Sequence, residues 1–205
     1  YLETHCSLQI GRDYNVFYNP EFLRQKYALD DFLNVDRVVI GENNVTLAAN
    51  SSALLQELYK PLTDNIVVTN YETAELIKYA ANCFLSLKIS YFNEIGFICR
   101  RLGIDDEVVN HAVSLDKRIG SYGTHAGKPF DGSCLPKDTK AFAAFVQKTL
   151  PLVAHSDLLR SALGINELMT QNIDYKHQER KPFQVSTKSK INYNKIQRNC
   201  DVASY

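Results

Sequence analysis

The sequence carries no net charge: 23 basic residues balance 23 acidic ones over 205 residues. Nothing global therefore points to nucleic acid or an anionic membrane as a partner. No apolar run reaches the ~18 residues that a membrane-spanning helix needs, and no signal peptide is read at the start. No CxxC pair occurs. The cysteines (Cys6, Cys83, Cys99, Cys134 and Cys200) are odd in number and widely spaced. That argues against a disulfide framework or a zinc site and for a reducing cytoplasm. The histidines, His5, His111, His125, His155 and His177, show no metal spacing, so no metal is expected. No internal repeat is found.

What is present is an ordinary globular composition, 45% hydrophobic. The length allows one domain plus part of another. The first residue is Tyr1 rather than methionine, so the chain is expected to be a fragment or a processed piece. The first ~45 residues read as strands and turns. "YNVFYNP" (Tyr14 to Pro20) alternates and stops at a proline, and "RVVIG" (Arg37 to Gly41) is the short apolar run of a buried strand. "SSALLQELYKPL" reads as a helix with Ser51 or Ser52 near its start and Pro61 at its end. "NIVVTN" (Asn65 to Asn70) reads as a second buried strand. Strand, helix, strand is the grammar of a parallel α/β sheet.

From Glu72 the texture changes. Leu76, Ala80, Cys83, Leu87, Tyr91 and Ile95 recur at steps of three and four, which predicts one helix of roughly eight turns. "RRLG" closes it with cations and a glycine stop. "IDDEVVNHAV", "LPKDTKAFAAFVQK" and "HSDLLRSALGINELM" (about Ser156 to Met169) predict three further helices, joined by a glycine-rich loop over 120–132. The fold class is thus α/β followed by a mainly helical part. The boundaries fall at 1–70, 71–170 and a polar tail over 171–205, which reads either as poorly packed or as a basic contact segment.

Three constellations carry chemistry. In "KPFDGSCLPKDTKAF", Cys134 sits in a polar turn directly before a helix opened by Pro136. It reads either as one more small hydrophobe or as a reactive thiol. Free N–H groups at the helix mouth and the charge of Lys137 favour the second reading. Asp138, one turn on, returns to the same side and suits proton or water handling better than activation of the thiol. Lys78 and Asn82, four apart, share one helix face. They read either as a solvated pair or as a cation and an amide donor placed for a developing oxyanion. Glu21, in "NPEFLRQ", follows a strand end, where α/β sheets bind ligands, and could equally be a turn residue. His125 raises the alternative of a cysteine hydrolase, but its distance from Cys134 along the sequence decides nothing.

Taken in order, "YNPEFLR", "DRVVIG", "TAELIKYAANCFLSLKISYFNEIG", "LDKRIG" and "GSCLPKDTKAF" resemble the UDP-glucose/GDP-mannose dehydrogenases over about Tyr14 to Met169. Arg118, sixteen residues before the cysteine, looks closer to the UDP-glucose branch. The resemblance implies the last strands of a Rossmann-like NAD-binding domain over 1–70 and a helical central dimerisation domain over 71–170. It implies a two-step, NAD-dependent oxidation of a sugar C6 alcohol to the acid in a cytoplasmic homodimer built on the long helix. By resemblance Cys134 is the nucleophile, Lys78 and Asn82 hold the C6 oxygen, Asp138 supports proton transfer, and Glu21 is the base for thioester hydrolysis. Phe22, Leu23 and Arg24 fall on the substrate-lining turn. Gly123, Thr124, His125, Ala126 and Gly127 fall on the loop that follows nucleotide and sugar. Asp131 lies where the backbone approaches the sugar. Lys137 and Gln25 match cofactor contacts, and Arg118 matches an arginine that reaches the partner subunit's substrate.

Three departures stand out. Asp131 replaces a glycine, which puts a side chain where the sugar passes. Gln25 replaces a glutamate. No GxGxxG turn is present to cradle a dinucleotide. The 205 residues alone are therefore expected not to turn over. The non-catalytic alternative is a helical dimerisation module.

Overall fold

The computed structural model describes residues 2–43, 51–149 and 157–171. The tail beyond Gln171, with His177 and Cys200, lies outside them, as does His155. Two strands, β1 (Val38–Glu42) and β2 (Ile66–Asn70), pair in parallel with Val38 opposite Ile66 and Glu42 opposite Asn70. A short helix (Ala53–Tyr59) lies between them in the chain. All of β1 is buried. β2 is not the buried strand that its composition suggests, since Val67 is 44% exposed. Among the described residues it has a neighbouring strand on one side only. Ser52 precedes the connecting helix without capping it; its hydroxyl instead donates to buried Glu42, Oγ to Oε1 at 2.8 Å.

The first 43 residues depart furthest from expectation. They hold two short helices, α1 (Leu2–Cys6) and α2 (Ala28–Leu33), with a 3-10 turn at Gln25–Tyr27. Asp30 and Asp31 sit in the first turn of α2, the favoured end for anions, and the Asn34 amide closes it onto Asp30 O at 3.0 Å. Tyr14 to Pro20 forms no strand. It meets β1 through one antiparallel bridge, Tyr18 with Gly41, at N···O distances of 2.8 and 2.7 Å. Pro20 has no N–H to continue the pairing.

With the connecting helix taken as α3, the long helix is α4 (Tyr71–Leu102), 32 residues and about 48 Å in length. Asn70 caps it by accepting from Thr73 N at 2.8 Å. Gly103, at φ 69°, ends it in the left-handed conformation that an L side chain disfavours. The apolar stripe that predicted this helix is unevenly covered. Cys83 is buried, but Leu76 is 51% and Tyr91 54% exposed. The buried residues of α4 are Ala74, Asn82, Cys83, Ser86, Ser90, Phe92, Asn93, Gly96 and Cys99, and Phe92 apart the seam is one of small or polar side chains. It is small and polar because two helices lie close against it: α6 (Leu135–Thr149) and α7 (Asp157–Gln171). In the chain α5 (Asp106–Ser114), capped by Asp105, comes between α4 and α6. Where the three large helices meet, Cys83, Ala143 and Leu159 form an apolar core with Leu87, Phe142 and Leu163 around it.

The start of α4 packs directly on β1. A Cβ built at Gly41 would stand 2.7 Å from the Ala74 Cβ. Gly41→Ala is therefore expected to destabilise the chain by ~1–3 kcal/mol through overpacking, read as a lowered urea midpoint with an unchanged m-value.

Candidate active site

An open cleft of about 1210 Å³ is walled mainly by four segments: the turn Glu21 to Tyr27, the approach to β1 from Asn34 to Arg37, one face of α4 at Lys78, Asn82 and Leu85, and the loop from Pro129 to Leu135. The first wall owes its place to the antiparallel bridge of Tyr18 with Gly41 of β1. The Asn19 amide donates to Val39 O at 2.7 Å, and the Phe22 ring lies 3.9 Å below the Arg37 guanidinium. Glu21 thus emerges beside the first residues of β1.

Lys78 is not a solvated lysine. Its side chain is 15% exposed, its ammonium donates to the Glu21 carbonyl, and it stands 3.3 Å from Glu21 Oε1. The other Glu21 oxygen accepts from Leu23 N at 2.7 Å, which fixes the turn. Asn82 lies one helical turn further along the same face and is buried. Its amide donates to Asp138 Oδ2 at 2.6 Å. The other Asp138 oxygen accepts from the Lys137 ammonium at 2.5 Å. That carboxylate raises the pKa of Lys137; the charge of Cys134 contributes least among the groups that raise it. The ammonium expected to serve the thiol is therefore engaged chiefly by Asp138.

Cys134 is exposed, directly before α6, and its carbonyl accepts from Asp138 N at 2.8 Å in the first turn. The Ser133 hydroxyl lies 3.6 Å from its sulfur. Cys83 and Cys99 differ in kind. Both are buried, and burial pushes their thiol pKa values up.

The loop that delivers Cys134 is held by amides reading its backbone. Asn93 donates to Lys128 O at 2.8 Å and accepts from Gly127 N at 2.8 Å. Asn166, on α7, accepts from Phe130 N at 2.7 Å and donates to Phe130 O at 3.1 Å. Lys88 donates to Ile119 O at 2.6 Å. Within this loop the left-handed conformation falls on Gly132, at φ 81°, and not on Asp131. Asp131 therefore adopts its backbone without strain, and its exposed side chain forms part of the cleft wall.

Other sequence-derived candidates are placed less centrally. Arg24 and Leu23 line the cleft, but Arg24 is braced against Asp31 through Nη2–Oδ1 at 2.5 Å and N–Oδ2 at 2.7 Å. These bonds hold the Asp31 carboxyl down at about 2. Gln25 is exposed in the same wall. Arg118 stands outside the cleft, paired with its neighbour Asp116 at 2.6 Å. The segment Gly123 to Gly127 is also absent from the wall, with Thr124 buried and its hydroxyl donating to Ser121 O at 2.8 Å. Sequence reading passed over Arg37, Phe84 and Tyr122, which line the cleft. Asn93 could have been found: Asn82, Ser86, Ser90 and Asn93 are polar at steps of four and three within an apolar helix. Among the described residues no group of three His, Cys, Asp or Glu side chains could hold a metal ion.

Parallel strands running into one long helix, whose face completes a cleft holding a thiol, an ammonium and an amide–carboxylate pair, define the nucleotide-sugar dehydrogenase class of fold. The chain belongs to the UDP-glucose/GDP-mannose dehydrogenase family. Its NAD binding domain matches residues 1–63 and its central domain residues 72–168. A UDP-glucose 6-dehydrogenase of Rickettsia bellii (strain RML369-C) is 41% identical over 169 residues, 78% of this chain and 38% of that protein. UDP-glucose 6-dehydrogenase TuaD of Bacillus subtilis (strain 168) is 46% identical over 128 residues, 62% of this chain and 27% of that protein. The solved structure of a UDP-glucose dehydrogenase from Pyrobaculum islandicum superposes with a TM-score of 0.68 at 43% identity, covering 77% of this chain and 35% of that one. The chain thus spans less than half the length of these relatives.

Exposure separates the thiols experimentally. With iodoacetamide at neutral pH, Cys134 is expected to label rapidly, and Cys83 and Cys99 slowly, their labelling rising only at more alkaline pH. Peptide mapping that finds Cys134 no faster than the two buried thiols would contradict this placement.

Proposed function

We propose that this chain supplies the catalytic centre for NAD-dependent oxidation of the C6 alcohol of a nucleotide sugar, UDP-glucose being favoured, to the uronate. The observation that supports it is the convergence of Glu21, Lys78, Asn82 and Cys134 on one cleft. On this reading residues 1–70 are the last part of an NAD-binding domain and 71–170 the central helical domain. The exposed Lys137 ammonium and Gln25 suit the rim of a cofactor site. NAD, where bound, takes a hydride at each of the two oxidations.

The residues divide the work by chemistry. Lys78 and the second amide hydrogen of Asn82 stabilise negative charge on the C6 oxygen as the alcohol loses its proton and the aldehyde forms. The Cys134 sulfur then bonds to C6, giving a thiohemiacetal whose oxygen rests against the same two donors. Loss of the second hydride leaves a thioester. Water attacks it, Glu21 accepts the water's proton, and the C–S bond breaks to release the acid and the thiol. Glu21 suits this role because its carboxylate is 54% exposed while its backbone is fixed. Asp138, buried and bonded to both Asn82 and the Lys137 ammonium, holds that amide in register, and its carboxylate takes up the proton that the C6 alcohol loses. Arg118, exposed and outside the cleft, is free to serve the substrate of a second copy.

A homodimer is part of the same proposal. The outer face of α4 leaves Leu76, Phe84, Tyr91, Ile98 and Leu102 between 48% and 63% exposed along one helix, a stripe suited to a second α4. The same stripe supports the alternative of a non-catalytic dimerisation module. The proposed setting is the cytoplasm; no helix among the described residues is long and apolar enough to cross a membrane.

Two measurements test the reading. The complete gene product, given NAD with UDP-glucose or GDP-mannose separately, is expected to form NADH, and Cys134→Ala is expected to lose at least ~100-fold in turnover. The 205 residues alone, lacking a GxGxxG turn, are expected to be inactive. No NADH with either sugar leaves the dimerisation module. Sedimentation of the 205-residue chain at micromolar concentration is expected to give a dimer, and Phe84→Glu with Tyr91→Glu a monomer.

A further inference from the structure

Two cations of the cleft wall, Lys26 and Arg37, have no acid to answer them among the described residues, and of the two only Arg37 is half-buried. Arg24 is spent on Asp31, and Lys78 faces Glu21. Arg37 has no hydrogen bond or ion pair among the described residues; its guanidinium lies 3.9 Å over the Phe22 ring. Its side chain is half-buried at the entry to β1, and its backbone is held there because the neighbouring Val38 N donates to Asn65 O at 2.9 Å and the Asn65 amide donates to Asp36 O at 2.9 Å. Stacking on an aromatic face orients the guanidinium plane but leaves the N–H groups at its edge unsatisfied. The same ring lies 5.2 Å from the Lys78 ammonium. Phe22 thus holds two cations no further apart than the two ring distances together. One is tied to the reacting end of the cleft, and the other carries a planar fork with nothing bound. A planar fork of donors fits phosphate oxygens two at a time.

We propose that Arg37 is a diphosphate-binding residue of this cleft, oriented by Phe22 and no further from the Lys78 ammonium than the two ring distances together. The proposal rests on the nucleotide-sugar reading above for its substrate class. The shared chemistry is a diphosphate, which both a nucleotide sugar and a dinucleotide contain.

Calorimetric titration of the complete gene product with UDP, uridine and NAD tests it. Wild type is expected to bind UDP more tightly than uridine. Arg37→Gln should cut UDP affinity ~10–100-fold, the range for charge-assisted hydrogen bonds, and leave uridine affinity unchanged. Arg37→Lys should restore part of the loss. Loss of NAD affinity alone, with UDP unmoved, would assign the same residue to the dinucleotide's diphosphate. An unchanged ratio of UDP to uridine affinity, with NAD also unmoved, overturns the proposal, as does equal weakening of UDP and uridine, which marks a purely structural role. Failure of wild type to form NADH concerns the reaction and leaves these ratios readable.

Discussion

The hydrogen bond from Asn82 to Asp138 is the contact on which the arrangement of the cleft depends. It joins the middle of the long helix to the first turn of the helix that follows Cys134. A buried carboxylate stripped of its donors costs several kcal/mol, so the bond dictates how α6 may sit against α4. The contacts beside it repeat the theme. The Thr139 hydroxyl donates to Ser86, and the Ser86 hydroxyl to the Asn82 carbonyl, at 2.8 and 3.1 Å, with all three residues buried. Further along, Ser90 donates to Ala162 O at 2.8 Å and draws α7 to the same helix. Directional bonds of this kind fix rotation and register, which apolar packing alone leaves loose.

That choice shapes the rest of the long helix. Small polar residues on the inner side let two helices approach closely, and the apolar core shrinks to the cluster around Cys83 and Phe142. Most of the large apolar residues, Leu76, Phe84, Tyr91, Ile98 and Leu102, are displaced to the outer side, where they stay about half exposed. One helix thus presents two surfaces with different rules. The inner one is specified by hydrogen bonds, and the outer one relies on area.

Much of this was legible in the amino-acid sequence. The long helix announced itself by its uninterrupted period and the Gly103 stop. Lys78 and Asn82 were placed on one face by their spacing, and Cys134 at a helix mouth by Pro136. What escaped was whatever depends on distant partners. The burial of Asn82 and Asp138 follows from their meeting 56 positions apart, which no local period encodes. The stripe from Leu76 to Tyr91 identified the helix but not its buried face, because apolar spacing marks a surface that wants cover without saying which neighbour provides it. Asp131 was expected to put a side chain where the sugar passes; the structure places that side chain in the cleft wall, with the left-handed conformation on the adjacent Gly132. The short helices at Leu2–Cys6 and Ala28–Leu33 were missed because five or six residues carry too little period to be seen.

The clamps formed by Asn93 and Asn166 grip peptide groups and ignore side chains. A loop held in this way is free to change its composition while keeping its path. Residues between Gly127 and Cys134 can drift in size and charge, as Asp131 illustrates, and the thiol is still delivered to the same place. Variation within the family can therefore concentrate on the lip of the cleft, where it alters what enters, while the machinery behind it stays put. The two asparagines separate the evolution of selectivity from the evolution of position.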